Sequence, residues 1–275
     1  MEMRRSLCLL FCVFPLLAGP ARAQFTAREL AQRPDWEAFL REAEIVGQEQ
    51  MSFEQGVTEP WKLTLRKGDI VRKAVWKDAT GVRGGYLEGW RFEVAAYAVD
   101  KLLGLGLVPP TVTRVRDARP GSCQLWIDRT GLLRDLVKKP ENQEAFRSAD
   151  WKDVGYISQF FDNLIGNEDR HQGNVLVTWD FRAVLVDHSR TFRVGKDFVE
   201  AIPFSAKTVP AEDLMRRLPL ALVERTAGLD ETSLRAATGG LLSDAEIQAV
   251  LARQKILLRE VGRIVEKHGE RAVLY

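Results

Sequence analysis

Between Asn163 and Arg190 the chain crowds Asp, Asn, Arg and His residues around two apolar runs. Asn163-Leu164-Ile165-Gly166-Asn167-Glu168-Asp169-Arg170-His171-Gln172-Gly173-Asn174 opens the stretch and Asp187-His188-Ser189-Arg190 closes it. Val175–Thr178 and Ala183–Val186 are apolar four-residue runs, and Trp179-Asp180-Phe181-Arg182 between them reads as a hairpin turn. The simplest register pairs Val175 with Val186 and Thr178 with Ala183, so Asn174 faces Asp187. Directly opposed residues stand about 4.5–5.5 Å apart. An amide oxygen and a carboxylate then converge at the open end of the hairpin, a hard-oxygen pair suited to Mg²⁺ or Mn²⁺ completed by water and phosphate oxygens. Asp169 lies on the loop leading into the same hairpin, where a carboxylate can accept a proton from, or orient, an attacking hydroxyl. One base and two metal ligands are the parts of a phosphoryl-transfer site. Each residue also has a plainer reading: Asp169 as a helix or turn cap, Asp187 as a strand-end turn residue, Asn174 as a cap on its own backbone.

The flanking elements must position these groups. Thr26 to about Gln50 reads as helix interrupted near Pro34, with Leu30, Trp36, Phe39, Leu40 and Ile45 on its packed face. Trp61–Lys77 reads as a hairpin turning at Lys67-Gly68-Asp69, with Val71, Lys73, Val75 and Lys77 on one face of the return strand. Ala79–Gly85 reads as a Gly-rich loop. Leu87–Leu103 reads as a helix with Phe92, Ala95, Ala96, Val99, Leu102 and Leu103 as its apolar stripe and Gly104 as C-cap. Thr111–Val115 and Cys123–Asp128 are strand-like, and Asp153–Ile165 is an amphipathic helix. Ser243–His268 is a long helix opened by a Ser243/Glu246 capping box and ended by Gly269. Strands with one helix, followed by a helical half containing one hairpin, predict an α+β chain of two lobes meeting near Trp126–Arg129.

Asp169-Arg170-His171-x-x-Asn174, preceded by Leu164-Ile165-Gly166-Asn167, resembles the catalytic loop of the atypical kinase group. That group holds the phosphoinositide 3- and 4-kinases, the HipA-like kinases and the secretory-pathway kinases related to Golgi casein kinase and four-jointed. Asp187-His188-Ser189 stands where those families place their metal-binding Asp. Ala74-Val75-Trp76-Lys77 resembles the strand ending in their phosphate-contacting Lys. Glu93 resembles the helix Glu that pairs with it, and Val108-Pro109-Pro110-Thr111-Val112 the segment after that helix in the secretory kinases. The resemblance covers roughly Gly56 to Arg190, about half the chain. It implies a two-lobed protein-kinase-like fold, with a β-rich N-lobe (24–128) and a mainly helical C-lobe (129–275). It also implies ATP with Mg²⁺ or Mn²⁺ as cofactor. Asp169 and Arg170 become the catalytic residues, Asn174 and Asp187 the metal ligands, and Lys77 and Glu93 the nucleotide-binding pair, with Trp126 against the adenine near the lobe junction. Lys73, on the same strand face, is the rival to Lys77. His171 reads as a hydrogen-bonder that holds the loop. The chain departs from the protein-kinase pattern in having no G-x-G-x-x-G loop; Gly56-Val57-Thr58-Glu59-Pro60 is a poor match.

Arg4 and Arg5 precede an apolar run from Leu7 to Ala18, and Ala21-Arg22-Ala23 has the small-x-small pattern of a signal-peptidase site. Twelve apolar residues fall short of the about 20 that a bilayer span needs, so 1–23 reads as a cleaved signal rather than an anchor. Cleavage turns the formal charge of +2 into a balance of 37 basic and 37 acidic residues over 252 positions. Such a balance argues against a general nucleic-acid binder. Cys123 is then the remaining cysteine, so no intramolecular disulfide forms, and the core alone stabilises the chain. The expected protein is an exported, monomeric phosphotransferase without stable membrane insertion, periplasmic or extracellular in a bacterium and in the secretory pathway in a eukaryote. It moves the γ-phosphate of ATP to a hydroxyl acceptor: a protein Ser/Thr, a sugar or an inositol headgroup. The alternative is a catalytically inactive kinase-fold module that binds nucleotide or a phosphorylated ligand. A metal-dependent phosphohydrolase, third in order, usually presents more clustered carboxylates and histidines.

Overall fold

The computed structural model describes residues 25–52, 58–83, 85–129, 131–205, 207–210 and 214–275. The expected signal segment and, of Gly56–Pro60, Gly56 and Val57 lie outside the described residues.

Pro34 does not interrupt a helix; it sits in the first turn of one. α1 (Ala27–Ala31) is opened by a Thr26/Glu29 capping box and ends at its C-cap Gln32, and α2 (Arg33–Glu42) starts afresh with Pro34 where no intrahelical N–H is needed. The helical expectation fails beyond Glu42, because Glu44–Gln50 is strand β1. Its alternating exposure suits an edge strand, and its polar residues read equally well as an exposed helix face. β1 pairs antiparallel with β2 (Trp61–Lys67), and β2 turns at Gly68, whose φ of +58° glycine adopts without strain, into β3 (Ile70–Lys77). β6 (Thr111–Arg116) and β7 (Arg119–Leu125) complete a five-stranded sheet of order β1-β2-β3-β7-β6. The second of these strands ends at Leu125 and begins earlier than the Cys123–Asp128 expected. One face of the sheet packs Leu63, Leu65, Ala74, Trp76, Val112 and Cys123 against Phe39 and Leu40 of α2. The strand's period of two sends Val75 and Lys77 to the other face.

The Gly-rich segment after β3 is a second hairpin rather than a loop, formed by β4 (Thr80–Arg83) and β5 (Tyr86–Gly89). α3 therefore starts at Trp90, not Leu87, and runs to Leu103 with Gly104 as its left-handed C-cap. Its stripe of Phe92, Ala95, Ala96, Val99 and Leu103 is buried in the core of the helical half.

That half opens with β8 (Gly131–Leu132) and two short helices, α4 (Leu133–Leu136) and α5 (Gln143–Phe146). The long helix α6 (Ala149–Ile165) leads into β9 (Val175–Val177) and β10 (Ala183–Leu185), which form a small sheet of order β10-β9-β8. α7 (Lys196–Val199), α8 (Leu220–Ala227) and α9 (Glu231–Thr238) precede α10 (Asp244–His268) and α11 (Glu270–Val273). α10 opens with the Ser243/Glu246 capping box read from the sequence. Among the described residues no helix is long and apolar enough to cross a membrane.

Candidate active site

Lys77 is the last residue of β3, and its Nζ donates to Glu93 Oε1 at 2.6 Å and to Asp187 Oδ1 at 2.8 Å. The three residues come from the sheet, from α3 and from the segment after β10. Burial by itself would lower the Lys77 pKa, but the carboxylates of Asp187 and Glu93 hold it above the ordinary lysine value. Burial would likewise raise Glu93, and the Lys77 ammonium with His188 holds it below the ordinary carboxylate range. Lys73 is exposed, and its backbone carbonyl accepts from the N–H of Trp126.

The β9–β10 hairpin differs from its expected register by one residue. Val175 pairs with Leu185 and Val177 with Ala183, so Asn174 lies opposite Val186, whose N–H donates to its carbonyl at 3.1 Å. The reason is the turn. Thr178 belongs to a five-residue loop closed by Thr178 N–H to Arg182 C=O at 3.0 Å, with Phe181 in the left-handed region at φ +59°. A one-residue slip would send Asp187 to the opposite face of a continued strand. The strand does not continue, because Asp187 itself takes φ +61°, a conformation Asp tolerates better than most residues. Asn174 and Asp187 consequently line the same cavity.

The loop before the hairpin is tied down from behind. Gly166, at φ +66°, ends α6, and a Cβ there would lie 2.8 Å from Arg253 Cζ. Arg253 reaches across from α10 to donate to Leu164 C=O at 2.9 Å and Arg193 C=O at 2.7 Å; burial pushes its pKa down to about 10. Arg170 forks onto the buried Asp162, with Nε to Oδ2 at 3.0 Å and Nη2 to Oδ1 at 3.1 Å. Its Nη1 donates to the carbonyls of Asn174 and Val186, both at 2.8 Å. Arg170 thus faces the protein rather than either cavity described below, a correction to its place among the catalytic residues: it holds the loop against the hairpin. Its Nη2 also meets His188 Nε2 at 2.8 Å. A guanidinium can only donate, so Nε2 accepts and His188 is neutral, in keeping with a pKa lowered by burial and by the Arg170 charge. The backbone N–H of His188 donates to Glu93 Oε2 at 2.9 Å, which joins this network to Lys77.

Two cavities meet at Asp187. The larger, about 420 Å³, is lined by Val75, Lys77, Trp126, Leu176, Asn174 and Asp187 among others. Trp126 is flanked by Lys62 Nζ at 5.9 Å and Arg129 Cζ at 5.3 Å from its ring centre. The smaller, about 100 Å³, is lined by Glu88, Asp169, Asp187, Ser189 and Arg190, with Thr58 and His171 shared between the two. His171 Nδ1 accepts from Gly173 N–H at 3.0 Å, the loop-holding part read from the sequence. Asp169 is about one-third exposed and accepts from Arg190 Nη1 at 3.2 Å. Asn174 Nδ2 is anchored on the Asp169 carbonyl at 3.1 Å, which leaves Oδ1 without a donor among the described residues. One carboxylate and one amide oxygen fit a hard divalent cation that takes its other ligands from water and phosphate. They do not make a self-sufficient cage, and among the described residues no group of three or more His, Cys, Asp or Glu could hold a metal.

The residues missed from sequence are Glu88, Arg190 and Arg253. Nothing in local spacing marks them, since each acts on a partner 21 or more residues away.

No protein-family model matches the chain. Protein Rv2133c of Mycobacterium tuberculosis (strain ATCC 25618 / H37Rv) is 26% identical over 192 residues, 60% of this chain and 67% of that protein. Among solved structures, hydra Fam20 with sugar overlaps at a TM-score of 0.64 with 14% identity, covering 92% of this chain and 95% of that one. The Golgi casein kinase with Mn/ADP bound overlaps at 0.62 with 15% identity, covering 89% and 78%. The fold is therefore that of hydra Fam20 and the Golgi casein kinase, β-rich in its N-terminal part and helical in its C-terminal part.

Proposed function

We propose that the chain is an exported metal-dependent kinase that transfers the terminal phosphoryl group of ATP to a hydroxyl acceptor. The observation that carries this reading is the double pairing of Lys77 with Glu93 and Asp187 at the wall of the larger cavity, with Asp169 in the adjoining one. Lys77, held by Glu93, binds the donor's phosphate oxygens as a fixed cation. Trp126 offers its ring to the base. Mg²⁺ or Mn²⁺ on Asn174 and Asp187 would neutralise charge on the donor's phosphates. Asp169 orients the acceptor hydroxyl for in-line attack and takes its proton. Arg170 keeps Asp169 and Asn174 in one geometry through the loop and is a positioning residue. The Mn/ADP complex of the Golgi casein kinase supports the same cofactor pair for this fold. Export is read from Arg4, Arg5, the apolar run after them and Ala21-Arg22-Ala23.

The test is calorimetric titration of Mn²⁺–ADP into the purified protein, followed by phosphate transfer to protein, sugar and inositol acceptors. Asp187→Ala is expected to abolish metal-dependent nucleotide binding. Asp169→Ala is expected to bind nucleotide normally and to transfer phosphate about 10²–10⁴-fold more slowly. Unchanged transfer by Asp169→Ala would overturn the assignment, and binding without turnover on any acceptor would favour an inactive binding module.

A further inference from the structure

Arg190 stands between Glu88 and Asp169, two of the three carboxylates that line the smaller cavity, and the reaction assigned above leaves it unused. Its Nε donates to Glu88 Oε1 at 2.6 Å and its Nη1 to Asp169 Oδ2 at 3.2 Å. Its Nη2 has no hydrogen-bond partner among the described residues. The Tyr86 ring lies against the guanidinium, 4.4 Å from Cζ to the ring centre. Glu88 and Tyr86, two residues apart on β5, share a strand face, so one edge of the hairpin grips Arg190 from both sides. Glu88 is 2% exposed, and its Oε2 has no hydrogen-bond partner among the described residues. Burying a carboxylate so incompletely satisfied is unfavourable, and what Glu88 does in return is hold one guanidinium at the cavity wall.

We propose that Arg190 is a catalytic residue that stabilises the phosphoryl group in flight; this rests on the phosphotransfer reading above. In that step a bond forms between the acceptor oxygen and the γ-phosphorus. The bond from that phosphorus to the β,γ-bridging oxygen breaks, ADP leaves with its electron pair, and the acceptor proton passes to the Asp169 carboxylate. Negative charge is then spread over the three equatorial oxygens of the transferring group. Asp169, beside the acceptor, and Asp187, beside the donor, bracket the place where this occurs, and both line the cavity with Arg190. Lys77 already serves Glu93 and Asp187 on the donor side. Arg190 is a permanent cation with one nitrogen still to satisfy, held in place before the reaction begins. The chain has no G-x-G-x-x-G loop to cover the phosphates, so a cation fixed in the adjoining cavity fills a need that the sequence leaves open.

Calorimetry with Mn²⁺–ADP, alone and with aluminium fluoride as a mimic of the transferring phosphoryl, tests the proposal. The wild type is expected to bind the fluoride complex at least about 10²-fold more tightly than ADP. Arg190→Met by itself strands the buried Glu88, so the double variant Glu88→Gln/Arg190→Met is used, with its fold checked by thermal melting. It is expected to bind Mn²⁺–ADP within about threefold of wild type, to lose the gain from aluminium fluoride, and to show kcat lowered about 10³-fold. Arg190→Lys is expected to keep part of both. If the double variant keeps the fluoride gain while kcat falls, Arg190 only positions Asp169 and the proposal is overturned. It is also overturned if the wild type binds Mn²⁺–ADP but gains nothing from fluoride, an outcome that leaves nucleotide binding intact. A wild type that binds no nucleotide overturns the phosphotransfer reading and this inference with it.

Discussion

The cluster behind the Asp169 loop and the cluster in front of it are built from the same kinds of side chain, yet they differ in burial and in pairing. Behind the loop, the side chains of Arg170, Asp162, His188 and Glu93 are buried, and each meets its partners at 2.6–3.1 Å. In front, Asp169 and Asp187 are one-third and two-fifths exposed, and each is met by a single side-chain cation, Arg190 or Lys77, that is shared with a glutamate. Buried charges need their partners to remain folded at all. Half-exposed carboxylates can exchange a partner for a ligand at little energetic loss, because water screens the change. The rear cluster therefore sets geometry, and the front one is left able to react.

If this contrast is right, variants of the two clusters separate activity from stability. The largest effect is expected in front: Asp169→Ala lowers kcat by about 10²–10⁴-fold, while its urea midpoint stays close to wild type. A large shift in that midpoint would break the contrast. Behind the loop the order reverses. Arg170→Met leaves Asp162 buried and uncompensated and costs about 3–5 kcal/mol of stability by urea unfolding. The double variant Arg170→Met/Asp162→Asn recovers part of that loss. Arg170→Met protein as stable as wild type would show that the pair is not needed for folding.

A smaller, pH-dependent effect belongs to Glu93. Its pKa in the folded state is depressed, so its contribution is present above the ordinary glutamate value of 4.5 and is lost as pH falls through and below it. Between pH 6 and pH 3 the wild-type Tm is expected to fall more steeply than that of Glu93→Gln. Parallel curves would mean that Glu93 carries no linkage. The smallest effect is expected far from both clusters. Burial pushes the Cys123 thiol up to about 12, so an alkylating reagent at pH 8 labels it only after denaturant is added. Labelling of the folded protein would show that the sheet opens locally.

How much was legible in the sequence follows from the range of the forces involved. The turn at Gly68, the capping box of α10 and the stripe of α3 are set by neighbours within a few residues, and period and cap residues announce them. The spacing from Asp169 to Asn174 belongs to the same kind, one loop short enough to read. The edge strand β1 was not legible, because its polar residues satisfy a helix surface as well as a sheet rim and only pairing with β2 selects between them. The register of β9 with β10 turned on whether Thr178 joined the strand or the loop, a choice made by its hydrogen bonds to Arg182 and Asp180.

By itself, then, the amino-acid order determined which residues could do phosphoryl chemistry and on which local elements they ride. Tertiary structure decided which lysine reaches Glu93: Ala74 and Trp76 take the core face and leave Lys73 and Lys77 together on the other, and Lys77, at the end of β3, is the one whose Nζ meets Glu93 of α3. It decided that Arg170 holds the loop and that Arg190 faces the cavity, since their partners Asp162, Val186 and Glu88 come from other elements. Such pairings depend on the packing of whole elements, and a side chain's hydrogen bonds at 3 Å cannot be assigned until that packing brings partners dozens of residues apart to one place.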